Sequence, residues 1–174
     1  LMIHGPHLTR THRDNCGVWA WIQQFVGVSL FVVWSLEDGE RSGLTRDNDN
    51  WDGDAWALFF SLPSARLLTL RPGDTGVLRA GAFHRVFTME TKICAYGDLF
   101  CAAGMDATIN SVEQDRRDGM TDEDLMPIDQ VFLKGLEFEA EKRNFDHVKQ
   151  LLEVCGENAN FRVAADRKAV LSKM

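Results

Sequence analysis

The sequence contains no run of about eighteen apolar residues, and no basic stretch followed by an apolar one near its start. The first absence argues against a membrane-spanning helix and the second against a signal peptide. Cysteine is scarce, and the chain has no C-x-x-C motif or dense disulfide framework among Cys16, Cys94, Cys101 and Cys155. We therefore expect reduced thiols in an intracellular protein that has no association with a membrane.

Positive charge is also in short supply. The chain has 19 Lys and Arg against 26 Asp and Glu, which gives a formal net charge of −7. This balance disfavours a general electrostatic grip on nucleic acid, so we expect no direct nucleic-acid binding. A basic peptide or a small molecule is the more natural partner, and the sequence shows no internal repeat or low-complexity tract.

Apolar and aromatic residues are plentiful. The 174 residues are 45% hydrophobic and include five Trp and eleven Phe, enough for one domain with a core. Residues 1 to about 100 favour β-structure, with strands predicted at Val18–Val26, Ser29–Leu36, Arg66–Leu70, Val77–Leu78, His84–Met89 and Lys92–Phe100. We expect a loop over Glu37–Asp54 and a short helix over Ala55–Ser61 that packs Trp56, Phe59 and Phe60 inward. Beyond about residue 120, apolar residues recur at helical spacing.

Three residues suggest a metal site. His12 and Asp14 are two residues apart, so on a strand their side chains point to the same face. The Pro-Gly-Asp turn at 72–74 and the Ala-Gly-Ala step at 80–82 place His84 at the start of a later strand. Two His and one carboxylate make a facial triad that binds Fe(II) and leaves positions open for other ligands. A solvent-exposed pair on a half-buried strand is the simpler interpretation of His12 and Asp14 taken alone.

The first hundred residues resemble the C-terminal half of a jumonji C (JmjC) domain. The resemblance is carried by Thr9, the His12-x-Asp14 motif with Gly17 and Trp19, Gly27 before an apolar strand ending at Trp34, and the segments 70–74, 80–88 and 96–100. It covers about sixty per cent of the chain. The segment after residue 118 is not covered.

The resemblance implies a mainly β fold, the double-stranded β-helix or cupin-like jelly roll, over residues 1–118. A helical tail over residues 119–174 would follow. On this view the barrel lacks its N-terminal strands, and one sheet edge would lie open. It also implies an Fe(II)- and 2-oxoglutarate-dependent dioxygenase with His12, Asp14 and His84 as metal ligands. Such enzymes hydroxylate or demethylate a protein side chain. Histone methyl-lysine is the family's best-represented substrate, and the nucleus is its location by analogy.

One position departs from the family pattern. Ser29 stands where the family usually has the Lys that binds the distal carboxylate of 2-oxoglutarate. Leaving a buried charge without its partner typically costs about 3–5 kcal/mol. Thr9 matches the family's hydroxyl partner, but it needs a bulge to face the same way as His12. Lys92 is a candidate replacement, although a solvated surface lysine is the simpler interpretation.

Three functions therefore compete. The first is the dioxygenase, and the second is a JmjC-like metal-binding or protein-interaction module that lost activity, which Ser29 favours. The third is a cupin-type metal protein acting on a small molecule, which would be expected to show a denser His cluster than this chain has.

Overall fold

The computed structural model describes residues 1–15, 17–45, 51–99, 101, 104–119, 138, 141, 142 and 146. The chain divides into two compact units. One comprises Leu1–Asp14 with Trp19–Asp98, and the other Asn15–Val18 with Leu99–Met174. The division predicted between residues 118 and 119 stays a prediction.

The first unit is built from two antiparallel sheets of four strands each. The strands are β1 (Met2–Ile3), β2 (His7–Leu8), β3 (Trp19–Val26), β4 (Ser29–Trp34), β5 (Arg66–Leu70), β6 (Thr75–Leu78), β7 (Phe83–Thr88) and β8 (Lys92–Leu99). One sheet has the order β1-β8-β3-β6 and the other β2-β7-β4-β5. The prediction of a mainly β fold is confirmed.

The turn between β5 and β6 forms as its sequence predicts. Pro72 presets its backbone angle, and Gly73 adopts a positive φ of 96°. The carboxylate of Asp74 accepts the backbone N–H of Arg71 at 2.8 Å. The turn is tied to β3, because Gly73 N–H donates to the carbonyl of Gln24 at 2.8 Å.

A core fills the space between the two sheets. Its buried members come from strands of both sheets: Ala20, Ile22, Phe31, Leu70, Leu78, Val86 and Cys94. In the β4–β7 ladder Ser29 pairs with Thr88, Phe31 with Val86 and Val33 with His84. Directly opposed residues of an antiparallel pair share a face, so these three pairs form one row along the inner face.

The opposite face of the same two strands carries a second core. It packs against α2 (Gly53–Ser61), whose N-cap Asp52 accepts two backbone N–H groups. Its buried members are Val32, Trp34, Leu44, Ala55, Phe59, Leu62 and Phe83. Phe59 is fully buried as predicted, but the expectation that Phe60 also packs inward is wrong, since it is 63% exposed. In this helix the two residues lie on different faces.

A short helix replaces the first part of the predicted loop at 37–54 and begins at the last residue of the predicted strand at 29–36. This helix, α1, spans Leu36–Ser42. Ser35 caps it by accepting the Asp38 N–H, and it ends at Gly43 in the left-handed conformation. Both signals are standard for helix ends. The polar composition of the segment favours a loop, so these two cap residues did not lead to the prediction of a helix.

The second unit contains α3 (Met105–Arg117). The hydroxyl of Thr108 donates to the carbonyl of Gly17 at 2.8 Å, which attaches the helix to the short segment at 15–18 of its own unit. The helices predicted beyond residue 120 lie outside the described residues. Over the part of the chain that the structure describes, no helix is both long and apolar enough to cross a membrane.

Candidate metal centre

His12, Asp14 and His84 come together at one end of the inner row. His12 and His84 form an isolated antiparallel bridge in which each backbone N–H donates to the other's carbonyl, at 3.1 and 2.7 Å. The ring centroids of the two histidines are 4.1 Å apart. One ligand atom from each of the three residues lies within 4.8 Å of the others. An ion with ligand distances of about 2.0–2.2 Å would draw them closer.

Each histidine is oriented by a hydrogen bond from its Nδ1 to the backbone carbonyl two residues earlier. Nδ1 of His12 donates to the carbonyl of Arg10 at 2.9 Å, and Nδ1 of His84 donates to the carbonyl of Ala82 at 3.1 Å. Because a carbonyl only accepts, Nδ1 carries the hydrogen in each neutral ring. This leaves the lone pair on Nε2, and hydrogen bonds of this kind commonly fix the tautomer of metal-binding histidines.

The electrostatics keep His84 neutral. Burial and, second, the neighbouring His12 lower the pKa of His84 to about 4. The charge of Asp14 and the hydrogen bond to Ala82 act in the opposite direction but do not outweigh them. A neutral imidazole is the form that binds a metal cation. His84 is thus in its ligand form at neutral pH without having to lose a proton first.

The bulge required near Thr9 is present in the hydrogen-bond ladder. Thr9 pairs with Val86, since its N–H donates to the Val86 carbonyl at 3.0 Å and its hydroxyl accepts the Val86 N–H at 2.8 Å. His12 pairs with His84. The chain advances three residues from Thr9 to His12, whereas β7 advances two residues between Val86 and His84. The segment from Thr9 to His12 therefore holds one extra residue, which is a bulge. Thr9 and His12 then face the same side of the ladder.

Ser29 and Lys92, the other two candidate co-substrate residues, are both buried. Ser29 is fully buried, and its hydroxyl has no hydrogen-bond partner among the described residues. The interpretation of Lys92 as a solvated surface lysine is wrong: its side chain is only 4% exposed and lies inside the unit. Its Nζ is 5.7 Å from the centroid of the Phe31 ring. Burial lowers the pKa of Lys92.

A further acidic residue that the sequence did not predict to be part of the site, Asp98 on β8, interacts with Asp14. Burial and, second, the negative charge of Asp14 raise the pKa of Asp98, so the two carboxylates are close enough to interact. The local sequence does not predict a role for Asp98, because its proximity to Asp14 depends on the tertiary structure. His4 and His7 are exposed and do not belong to the triad, and Cys16 is outside the described residues.

Comparison with known proteins adds no assignment. Neither a scan of protein-family models nor a search of curated proteins finds a match for this chain.

Proposed function

We propose that this chain is an Fe(II)- and 2-oxoglutarate-dependent dioxygenase of the JmjC type that hydroxylates or demethylates a protein side chain. The observation that carries the proposal is the convergence of His12, Asp14 and His84, with both Nε2 lone pairs free. Two neutral imidazoles and one carboxylate are the donor set of the facial triad of non-haem iron oxygenases.

The strand order supports a jelly roll for the barrel. Eight strands fall into the sheets β1-β8-β3-β6 and β2-β7-β4-β5, so strands that follow one another in sequence lie in different sheets for most of the chain. This is the arrangement expected of a double-sheet jelly roll with two Greek keys. It also accounts for the meeting of the segment before β3 with β7 at the His12–His84 bridge.

In the proposed site, His12, Asp14 and His84 would hold the iron on one side. When bound, Fe(II) would supply coordination positions for 2-oxoglutarate and O2, and O2 would be the oxidant that hydroxylates carbon while 2-oxoglutarate is decarboxylated. The protein's own part is to present three donors in fixed orientation, with the tautomers set by the carbonyls of Arg10 and Ala82. The choice of a protein side chain as substrate, with histone methyl-lysine as the first to try, follows from the JmjC resemblance.

The test is anaerobic titration of Fe(II)-loaded protein with 2-oxoglutarate. We expect a visible metal-to-ligand charge-transfer band in the wild type and none in His84→Ala. His7→Ala is the matched control, since His7 is exposed and stands outside the triad, and it should retain the band. Iron binding without a band would favour the second candidate, a JmjC-like metal-binding or interaction module, for which the Ser29 substitution argues. Absence of iron binding would overturn both.

A further inference from the structure

The strand β5 lies at the edge of its sheet. In the order β2-β7-β4-β5 it pairs only with β4, so one side of its backbone has no strand beside it among the described residues. Four of its five residues are exposed, and these include Leu67 at 47% and Leu68 at 37%. An open edge that carries exposed leucines is a template for pairing with another strand.

The usual protections of an edge strand are missing from β5. Its sequence, Arg-Leu-Leu-Thr-Leu, has no proline, no lysine and no acidic residue. Arg66 carries the only charge, and the segment before the strand holds its guanidinium, since Nη1 donates to the carbonyls of Pro63 and Ala65 at 3.1 and 2.7 Å. The other edge strands of the two sheets are shorter, with two residues in β1, two in β2 and four in β6. Of these edges, β5 is therefore the one best suited to accept a partner strand.

The register of the sheet shows which backbone groups of β5 point to the open side. The N–H and the carbonyl of His84 both bond to the segment before β3, so they point away from β4. Val33 lies opposite His84, and its own backbone groups therefore point away from β7 and toward β5. The same holds for every second residue of β4, and their partners in β5 bond back to β4. The residues between those partners, Leu67 and Thr69, direct their N–H and carbonyl groups to the open side.

A second copy of the same strand fits these groups. When two β5 strands run antiparallel about a two-fold axis at Leu68, Leu67 of each copy lies opposite Thr69 of the other. Each of these two pairs exchanges two backbone hydrogen bonds, and the two Leu68 residues form the narrow pair between them, with Cα atoms about 4.5 Å apart. In this register Arg66 of one copy meets Leu70 of the other, so no like charges are opposed. The edge is therefore complementary to itself in hydrogen bonding and in charge.

The contact between two such edges is small and closes on itself. Four hydrogen bonds, at a usual density of about one per 100–200 Å², correspond to about 400–800 Å² of buried surface, the size of a weak and reversible association. Pairing uses the β5 edge of both copies and leaves the two-residue strand β2 at either end of the joined sheet. The association therefore stops at a dimer and does not continue into a fibre.

We infer that this chain forms a weak two-fold symmetric dimer in which two β5 strands pair about Leu68. The two sheets of four strands then become one continuous sheet of eight. The inference does not depend on the metal centre or on a co-substrate. Leu68 is its central residue, because it is the one position of β5 that lies opposite itself.

The experiment measures self-association of the whole chain by sedimentation velocity. We expect a monomer–dimer equilibrium with a dissociation constant on the order of tens of micromolar. Leu68→Lys and Leu68→Glu each place like charges directly opposite one another across the axis, so each should weaken the dimer by about tenfold or more. An equimolar mixture of the two variants pairs lysine with glutamate, and it should recover the association.

The matched controls are Val77→Lys and Val77→Glu. Val77 is 52% exposed and lies on β6, the edge strand of the other sheet. Both controls should associate like the wild type, alone and mixed. Near-ultraviolet circular dichroism checks that every variant keeps its fold. A dimer that survives in both Leu68 variants would place the contact elsewhere and overturn the inference.

Hydrogen exchange of single amides in the wild type tests the same contact without a substitution. Protection of Leu67 and Thr69 should rise with protein concentration, whereas the amide of Leu68, which bonds to β4, should be protected throughout. Protection of Leu67 and Thr69 at every concentration would show that a segment of the same chain covers the edge, and the dimer would be excluded. A wild type that stays monomeric about tenfold above the expected dissociation constant, or folded Leu68 variants whose mixture stays monomeric, would also overturn the inference.

Discussion

The two faces of the β4–β7 pair are formed by alternate residues of the same two strands and do different things. The outward face packs Trp34 and Phe83 against α2, with the Trp34 and Phe83 rings stacked at a centroid distance of 5.8 Å. The indole N–H of Trp34 donates to the carbonyl of Leu44 at 3.0 Å. The inward face begins with His84 opposite Val33 and ends with Ser29 opposite Thr88, and the apolar pair of Phe31 and Val86 lies between them.

The difference shows how one sheet separates stability from chemistry. Side chains alternate across a strand, so a single segment can supply an aromatic core on one side and a polar site on the other. On the inward face, the buried hydroxyls and the Lys92 ammonium are costs that the aromatic packing on the outward face offsets. Changes to the two faces should therefore have separable effects.

The largest expected effect is on the outward face. Phe59→Ala removes a fully buried ring from the core under α2. It should lower the free energy of unfolding by about 3–5 kcal/mol, as for other buried Phe truncations. Chemical denaturation measures this. Phe60→Ala is the control, because the Phe60 ring is 63% exposed and the change should cost far less. Equal losses from the two variants would contradict the packing described for α2.

The next effect belongs to the inward face and depends on pH. His84 has a folded-state pKa of about 4 against an ordinary value of 6.5. Between these values the unfolded chain binds more protons, so the stability of metal-free protein should fall as pH drops from 6.5 to 4, by up to about 3 kcal/mol. Above pH 6.5 the contribution is complete.

Urea denaturation of chelator-treated protein across this range measures that loss. His84→Gln should remove most of the slope, and His7→Gln, at an exposed position, should keep it. A slope that survives in His84→Gln would show that another group causes it.

Metal binding comes third. At an Fe(II) or Mn(II) concentration about one hundred times the dissociation constant, the wild type should gain about 2.7 kcal/mol of stability. The gain should vanish in His12→Ala and persist in His4→Ala, because His4 is exposed and lies outside the triad. Thermal denaturation under anaerobic conditions, with and without metal, gives the comparison. A gain of equal size in His12→Ala would place the ion elsewhere.

The smallest effect is a gain of stability caused by a single substitution. Ser29→Ala removes an unpaired buried hydroxyl and should raise the stability of ligand-free protein by about 1 kcal/mol. Ser61→Ala serves as the control, since that hydroxyl is exposed and bonded to the carbonyl of Leu58. Denaturant midpoints resolve a difference of this size. A clear loss of stability in Ser29→Ala would show that the hydroxyl is paired in solution.

Much of the first unit follows from local sequence. The strands β3 to β8 lie close to the segments where apolar and β-branched residues predict them, and the turn at 71–74 forms from its Pro-Gly-Asp chemistry. The helix α1 was missed although Ser35 and Gly43 carry ordinary cap signals. The polar composition of residues 37–54 predicts a loop, and the two cap residues were too weak a signal to predict a short helix against it.

The sequence by itself determined the residue types of the metal centre and the side of the strand on which His12 and Asp14 would lie, because alternation along a strand is a local property. Only the tertiary structure decided that Lys92 is buried. A lysine at the start of a strand has the same local sequence whether its inner face meets solvent or a second sheet. The closure of β8 over β4 placed its ammonium beside Phe31, and the β4–β7 register set Thr88 opposite Ser29. Burial and register are relations between distant segments, and so they appear only when the sheets are packed together.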